Sequence, residues 1–261
     1  MKFLDFFAGV GGFRLGMEMA GHECVGHCEI DKFAQASYTA MHNPKESEWF
    51  ADDITTVDPS ELPEADCYCG GFPCQSFSVA GKRGGFEDTR GTLFFEVMRL
   101  AKIRKPKYIF LENVKGLLSH DGGQTFGTIL ATMGECGYDV EWQVLNSKDF
   151  GVPQNRERVF IIGHFRGASS PKVFPIIQKE SVSIASPTIT TRYPFAWREG
   201  IYIIEDGEKW RDLTPKECFR LQGFSDEYFE RAKAVNSDSQ LYKQAGNSVT
   251  VNVIYEIAKR L

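Results

Sequence analysis

The sequence predicts an α/β fold: a mostly parallel sheet covered by helices, with a small second lobe of β and irregular structure. Two observations predict it. Strand-like and helix-like segments alternate through the first two-thirds of the 261 residues, as they do when crossover helices connect parallel strands. Composition then shifts near Gly167, and Ser, Pro and Thr with short β-like runs continue to Trp210. The expected division is a main domain of residues 1–166 and 211–261, with 167–210 as the small lobe.

The elements follow in order. Lys2–Phe7 is an apolar strand, followed by a Gly-rich turn and a helical pattern over Phe13–Ala20. Glu23–Glu29 reads as a strand and Asp31–Met41 as a helix. Asp66–Cys69 is a short apolar strand after an acidic loop. Leu93–Ile103 is helical by period, Tyr108–Glu112 a strand and Phe126–Cys136 a helix. Val140–Leu145 and Arg158–His164 are further strands. In the lobe, Thr188–Thr191 and Ile201–Ile204 are β-like, and helices return at Thr214–Leu221 and Val249–Leu261. Ligands of such sheets bind outside the carboxyl ends of the strands. The Gly-rich turn, Glu29, Gly70–Cys74 and Glu112–Asn113 all stand just after one.

Composition narrows the function classes. Apolar residues make up 42% and charged residues 25%, ordinary for a soluble globular chain. Mean hydropathy is -0.28, and no apolar run is long enough to cross a bilayer. MKFLDFFAGVGG carries no cleavable apolar region. Seven cysteines fit a reducing compartment, and a cytoplasmic location is expected. A net charge of -5 and a pI near 5.6 argue against a generally basic nucleic-acid binder, while leaving room for one basic cleft.

The turn Phe7-Ala8-Gly9-Val10-Gly11-Gly12 opens a helix. Glycines there permit a tight turn and close approach of a ligand to backbone N–H groups. Glu29, after the second strand, can accept hydrogen bonds from ribose hydroxyls. This logic serves nucleotides, dinucleotides and S-adenosylmethionine alike, and the spacing differs from G-x-G-x-x-G. Asp53 is either a partner for an adenine amino group or a turn cap.

In Gly70-Gly71-Phe72-Pro73-Cys74-Gln75-Ser76, proline fixes the backbone beside a cysteine and glycines open space around it. Near Arg83 and Arg90 the Cys74 thiol can ionise and act as a nucleophile. Cys24, Cys28, Cys67, Cys69, Cys136 and Cys218 read instead as small buried hydrophobes. Cys67 and Cys69 alternate on one strand face, which is not zinc-pair spacing, and no metal site is expected. A desolvated Glu112 can carry a raised pKa and donate a proton. Alternation puts Arg156 and Arg158 on one face, suited to a phosphate or a polar ring edge.

Together these residues resemble the DNA (cytosine-5)-methyltransferase family, in its bacterial and phage restriction-modification form. FAGVGG at Phe7–Gly12 looks like the family's cofactor loop and GGFPCQSFS at Gly70–Ser78 like its nucleophile loop, followed by GFEDTRGTLFFE at Gly85–Glu96. ENV at Glu112–Val114, QNRER at Gln154–Arg158, RDLTPKECFRLQGF at Arg211–Phe224 and QAGNSV at Gln244–Val249 continue in the family's order. The resemblance implies a Rossmann-like sheet, S-adenosylmethionine as cofactor and double-stranded DNA as partner. It implies a flipped cytosine, addition of Cys74 to C6, and Glu112 at N3. Arg158 would contact O2, and Arg156 would position Glu112 or a phosphate. Phe7, Ala8, Gly9, Gly11, Gly12, Glu29, Ile30, Asp53, Ile54, Pro73, Leu93, Asn247, Ser248 and Val249 would hold the cofactor. Ile30 stands where the family often has an aromatic residue, and an aliphatic side chain can still cover an adenine face.

The interval that reads bases in the family, here Phe165–Trp210, is very short, because SPTITTRY at Ser186–Tyr193 resembles the segment that closes it. Few side chains remain for direct readout: Lys172, Gln178, Lys179, Arg192 and Arg198. A short or relaxed target, or a second chain supplying recognition, is expected. Ser78, Lys82, Arg83 and Arg192 are the expected DNA contacts, with Arg90, Arg156 and Arg158 completing a basic strip. Two other functions share the fold. A tRNA cytosine-5 methyltransferase would carry a Cys-Phe-Thr element late in the chain, which is missing here. A catalytically silent accessory subunit would not need an intact nucleophile loop.

Overall fold

The computed structural model describes residues 1–73, 93–177, 185–193, 202–205 and 209–261. Strands β1 (Lys2–Phe6), β2 (Glu23–Cys28), β3 (Trp49–Ala51), β4 (Cys67–Gly71) and β5 (Tyr108–Val114) pair in parallel. The last two, β6 (Tyr138–Asn146) and β7 (Glu157–Phe165), are antiparallel to each other, and β7 inserts antiparallel beside β5. The order is β3-β2-β1-β4-β5-β7-β6. The chain runs outward from β1 to β3 and then returns to place β4 on β1's other side. The carboxyl ends of β1 and β4 therefore flank a topological switch point, where loops diverge and leave a crevice. Strands β8 (Tyr202–Glu205) and β9 (Lys209–Asp212) form a separate antiparallel ribbon.

Burial explains the sequence patterns. Every residue of β5 except Val114 is buried, because helices cover both faces, so Tyr108–Leu111 reads as a continuous apolar run before the buried Glu112 and Asn113. Helices α1 (Gly12–Met19) and, late in the chain, α8 (Val251–Ala258) cover one face, packing Phe13, Met17, Val253 and Ile254 on Phe3 and Phe110. Helices α3 (Leu93–Arg104) and α4 (Gln124–Glu135) cover the other, with Phe94, Met98 and Ile129 against Leu4 and Ile109. Helix α2 (Lys32–His42) starts at Asp31, whose carboxylate accepts from the Phe33 and Ala34 amides. It shares a third cluster with α5 (Pro215–Arg220), α6 (Asp226–Lys233) and α7 (Asp238–Asn247), built around Met41, Phe219, Phe229 and Leu241. Thr214 and Glu217 form a capping box at α5.

Several expectations need correction. Helices α6 and α7 occupy a stretch where no helix is expected, because their apolar faces are narrow: Phe229 and Ala232 in α6, Leu241 and Ala245 in α7. Thr188–Thr191 is no strand. Ser186 bridges to Gln154, and the chain then turns at Tyr193. Its apolar residue Ile189 is buried in the third cluster, so packing and not pairing accounts for it. The start of the expected lobe lies on the main sheet: Val173 and Ile176 are buried in the cluster of Phe3 and Phe110. Their amides, with that of Phe174, donate to Glu141 and Gln143 of β6. The six cysteines read as buried hydrophobes are buried, with the Cys67 and Cys69 sulfurs 3.6 Å apart. Among the described residues no helix is long and apolar enough to cross a membrane.

Gly16 sets how closely α1 approaches α8. A side-chain carbon there would lie 2.6 Å from Ile254 Cβ and 2.9 Å from the Val251 carbonyl oxygen. Gly16→Ala is expected to destabilise the chain by ~1–3 kcal/mol through overpacking, although alanine is the better helix former. A lowered Tm in calorimetry checks this; a raised one would show that the helices part easily.

Candidate active site at the switch point

A cleft of about 390 Å³ opens beyond the strand ends, within the range of small-molecule sites. Its wall combines Phe7, Gly9 and Val10 after β1, Glu29 and Ile30 after β2, and Gly71, Phe72 and Pro73 at the end of β4. Glu112, Asn113 and Arg158 from β5 and β7 complete the far side.

The cofactor-loop side is held by one carboxylate. Phe7, Gly9 and Gly11 have φ of 55°, 55° and 78°, so the chain reverses through the left-handed region that glycine tolerates. Glu29 Oε2 accepts from the Gly9 amide at 2.7 Å, and Oε1 accepts from the Asp31 amide at 2.8 Å. Burial raises the Glu29 carboxyl, opposed by those amides. Each oxygen retains acceptor capacity for a hydroxyl. Ile30 is 71% exposed on the wall, an apolar surface available to a flat ring. Ile54 and Leu93 add apolar wall. Asp53 caps a turn through Thr55, with its Oδ1 accepting from N and Oγ1 at 2.9 and 2.8 Å, and it lines the cleft.

Other sequence candidates sit behind the wall. Ala8, Gly11 and Gly12 shape the loop, and a side-chain carbon at Gly12 would lie 2.8 Å from Val249 Cγ2. Ser248 and Val249 are buried, whereas Asn247 lines the cleft. Sequence reasoning passed over Lys243, whose ammonium pairs with Asp31 at 2.7 Å, and Gln244, which bonds Ser37 and the Phe33 carbonyl. QAGNSV begins at Gln244, but nothing local marks either residue as a tie to α2.

On the other side, parallel register sets Gly71 beside Glu112. A side-chain carbon at Gly71 would lie 3.3 Å from Glu112 Oε2, so glycine keeps that space open. Asn113 donates from Nδ2 to the Phe72 carbonyl at 2.8 Å, fixing the start of the Pro-Cys loop. Glu112 is 8% exposed and pairs with Arg158, Nε to Oε1, at 3.0 Å. Burial raises its carboxyl, and the charges of Arg158 and Arg156 only partly offset this. A carboxyl so placed keeps its proton to a higher pH than a free one.

The two arginines have different partners. Arg158, not Arg156, makes the ion pair with Glu112. Arg156 is 3% exposed and donates to the carbonyls of Ile189, Gly246 and Ser248 at 2.9, 3.1 and 2.7 Å. Burial, and then Arg158, lower its pKa to about 9. Arg156 still lines the cleft, and its Nε is buried with no hydrogen-bond partner among the described residues. Arg192 and Lys172 are exposed. Cys74, Ser78, Lys82, Arg83, Arg90, Gln178, Lys179 and Arg198 lie outside the described residues. Pro73, the last described residue before Cys74, is on the cleft wall.

Comparison with known proteins gives this arrangement a family. The model of the C-5 cytosine-specific DNA methylase family matches residues 1–192 and 169–261, and the chain belongs to that family. Type II methyltransferase M.HhaI of Haemophilus parahaemolyticus is 36% identical, over 99% of this chain and 93% of its own length. Type II methyltransferase M.NlaX of Neisseria lactamica is 37% identical, over 100% and 96%. Among solved structures, the S. pombe Dnmt2 methyltransferase superposes with a TM-score of 0.77 at 18% identity, covering 99% of this chain and 97% of that one. The Entamoeba histolytica methyltransferase EhMeth gives 0.73 at 18% identity, over 98% and 96%. Both share the fold. The alignments to M.HhaI and M.NlaX run over 314 and 309 positions, more than the 261 residues present. Both relatives therefore carry residues without a counterpart here.

Glu112 makes a testable contribution to stability. A carboxyl raised in the folded chain stabilises it fully below its ordinary value of 4.5, and that contribution is lost as pH rises through the raised value. Glu112→Gln keeps a neutral group at every pH. It is expected to stabilise the chain at neutral pH, with the gain closing as pH falls towards 4.5. Urea melts across pH read this directly, and a neutral-pH loss would contradict the burial argument.

Proposed function

We propose that the chain methylates C5 of cytosine in double-stranded DNA with S-adenosylmethionine, through a covalent bond between Cys74 and C6 of a flipped base. The observation that carries this reading is a buried Glu112, held by Arg158, on the wall of the same cleft whose loop is clamped by Glu29. The residues fit the cofactor: a carboxylate for ribose hydroxyls, apolar Ile30, Ile54 and Leu93 for adenine, and Asn247 from the chain's other end. When bound, the cofactor supplies an electrophilic methyl group.

Pyrimidine carbons are poor nucleophiles, and covalent addition splits one hard step into easier ones. The Cys74 thiolate adds to C6, and the electron pair moves towards N3 as Glu112 delivers its proton there. Arg158 holds Glu112 in place and meets the negative charge left on it. C5 then takes the methyl group and loses its own proton to a base, the C6–S bond breaks to release the Cys74 thiolate, and N3 returns its proton to Glu112. Desolvation suits Glu112 to the donor role.

The two family matches overlap at residues 169–192, inside the interval expected to read DNA. This supports a reduced recognition lobe and a short or relaxed target sequence. Bisulfite sequencing of random DNA treated with the chain and cofactor reports activity and context together. Cys74→Ser is expected to abolish methyl transfer and leave cofactor affinity nearly unchanged; full turnover would refute the covalent route. Glu29→Ala is expected to raise the cofactor Kd about tenfold or more, with a smaller effect on the chemical step. An unchanged Kd would remove Glu29 from the cofactor site.

A further inference from the structure

His42, the last residue of α2, is absorbed by no motif, yet its ring lies under the Gly-rich loop. Its Nε2 is 2.9 Å from the Val10 carbonyl oxygen. A carbonyl only accepts, so the proton sits on Nε2. Nδ1 is buried with no hydrogen-bond partner among the described residues, as suits a bare ring nitrogen and not an N–H. The ring is fixed on two sides, 4.9 Å from the Tyr38 ring and 5.4 Å from the Tyr228 ring by centroids. It also fills the space at Gly11, where a side-chain carbon would lie 2.2 Å from Nε2.

The contact falls on a peptide unit already held at its other end. The Gly11 amide donates to the Ala8 carbonyl at 2.8 Å, and the Ala8 amide donates to Cys28 O at 3.1 Å. His42 takes the remaining end, the Val10 carbonyl. Glu29 fixes Gly9. Gly9 and Val10 both line the cleft, so the wall facing a ligand is set by Glu29 from one direction and His42 from another.

We propose that His42 is a positioning residue for the cofactor, its Nε2–H pinning the Val10 carbonyl and its ring supporting Gly11 so that the loop is formed before the ligand arrives. Preorganisation lowers the ordering cost of binding. Burial keeps the ring neutral, holding its pKa near 4, so the donor persists through neutral pH. The assignment rests on the cleft being the S-adenosylmethionine site.

The test uses the full chain, with calorimetric binding of S-adenosylmethionine and steady-state kinetics. His42→Leu is expected to raise the cofactor Kd about tenfold, while kcat at saturating cofactor falls less than about threefold. His42→Gln, which returns an N–H donor at similar reach, is expected to bring Kd back within about threefold of the unsubstituted chain. Unchanged binding in His42→Leu, or His42→Gln binding as weakly as His42→Leu, overturns the proposal. If His42→Leu does not fold, nitrogen-15 spectra of the histidine-labelled unsubstituted chain decide. A neutral Nε2–H ring that shifts on adding cofactor is expected, and a charged or Nδ1–H ring overturns the proposal. An unsubstituted chain that binds no S-adenosylmethionine refutes the cofactor site itself, and the ring spectrum still reports the Val10 contact separately.

Discussion

The buried guanidinium of Arg156 is the constraint on which the rest of the site depends. A cation removed from water costs several kcal/mol unless hydrogen bonds replace its hydration. Here three backbone carbonyls, from Ile189, Gly246 and Ser248, do so for the two terminal nitrogens, while Nε stays buried without a partner among the described residues. Those acceptors come from two segments distant in sequence. The arginine stands immediately before β7, so it fixes both segments against the strand that presents Arg158. Gly246 contributes by its bareness: a side-chain carbon there would lie 2.4 Å from the Thr190 carbonyl carbon.

Neighbouring polar side chains extend this junction. Gln154 accepts from the Ile189 amide and donates to the Leu221 carbonyl. Gln222 donates to the Ala245 carbonyl and accepts from the Thr250 hydroxyl, which also meets Ser147. Buried amides and hydroxyls are tolerable because they are paired. The motifs around QNRER, SPTITTRY, RLQGF and QAGNSV are thus one hydrogen-bonded unit. It joins the wall near Asn247 to the acid beside the Pro-Cys loop.

Electrostatics across the cleft follow from how deeply each group lies. Glu29 and Glu112 are both raised by burial, but their partners differ. Glu29 accepts from neutral backbone amides, which orient it without bringing a full charge. Glu112 faces a guanidinium at 3.0 Å, which meets its charge once the proton leaves. The first arrangement suits recognition and the second suits proton transfer.

Much was legible in the chain itself. Apolar runs ending in glycine or an acid marked β1, β4 and β5, because a strand buried on both faces is mostly apolar, with the buried Asp5 of β1 an exception. Those ends carried the Gly-rich turn, the start of the Pro-Cys loop and Glu112, since α/β sheets open their crevices there. Helices α6 and α7 were not legible, because each offers only two apolar buried residues at helical spacing, Phe229 with Ala232 and Leu241 with Ala245, in otherwise polar or small sequence, and neither was the support given by His42. Tertiary structure alone separated Arg156 from Arg158. Two residues apart and chemically identical, they differ only in surroundings. Strand pairing sets Arg158 opposite Val114 and within reach of Glu112, while the returning chain closes over Arg156. Side-chain chemistry is written residue by residue, but the partners that direct it arrive from elsewhere in the chain.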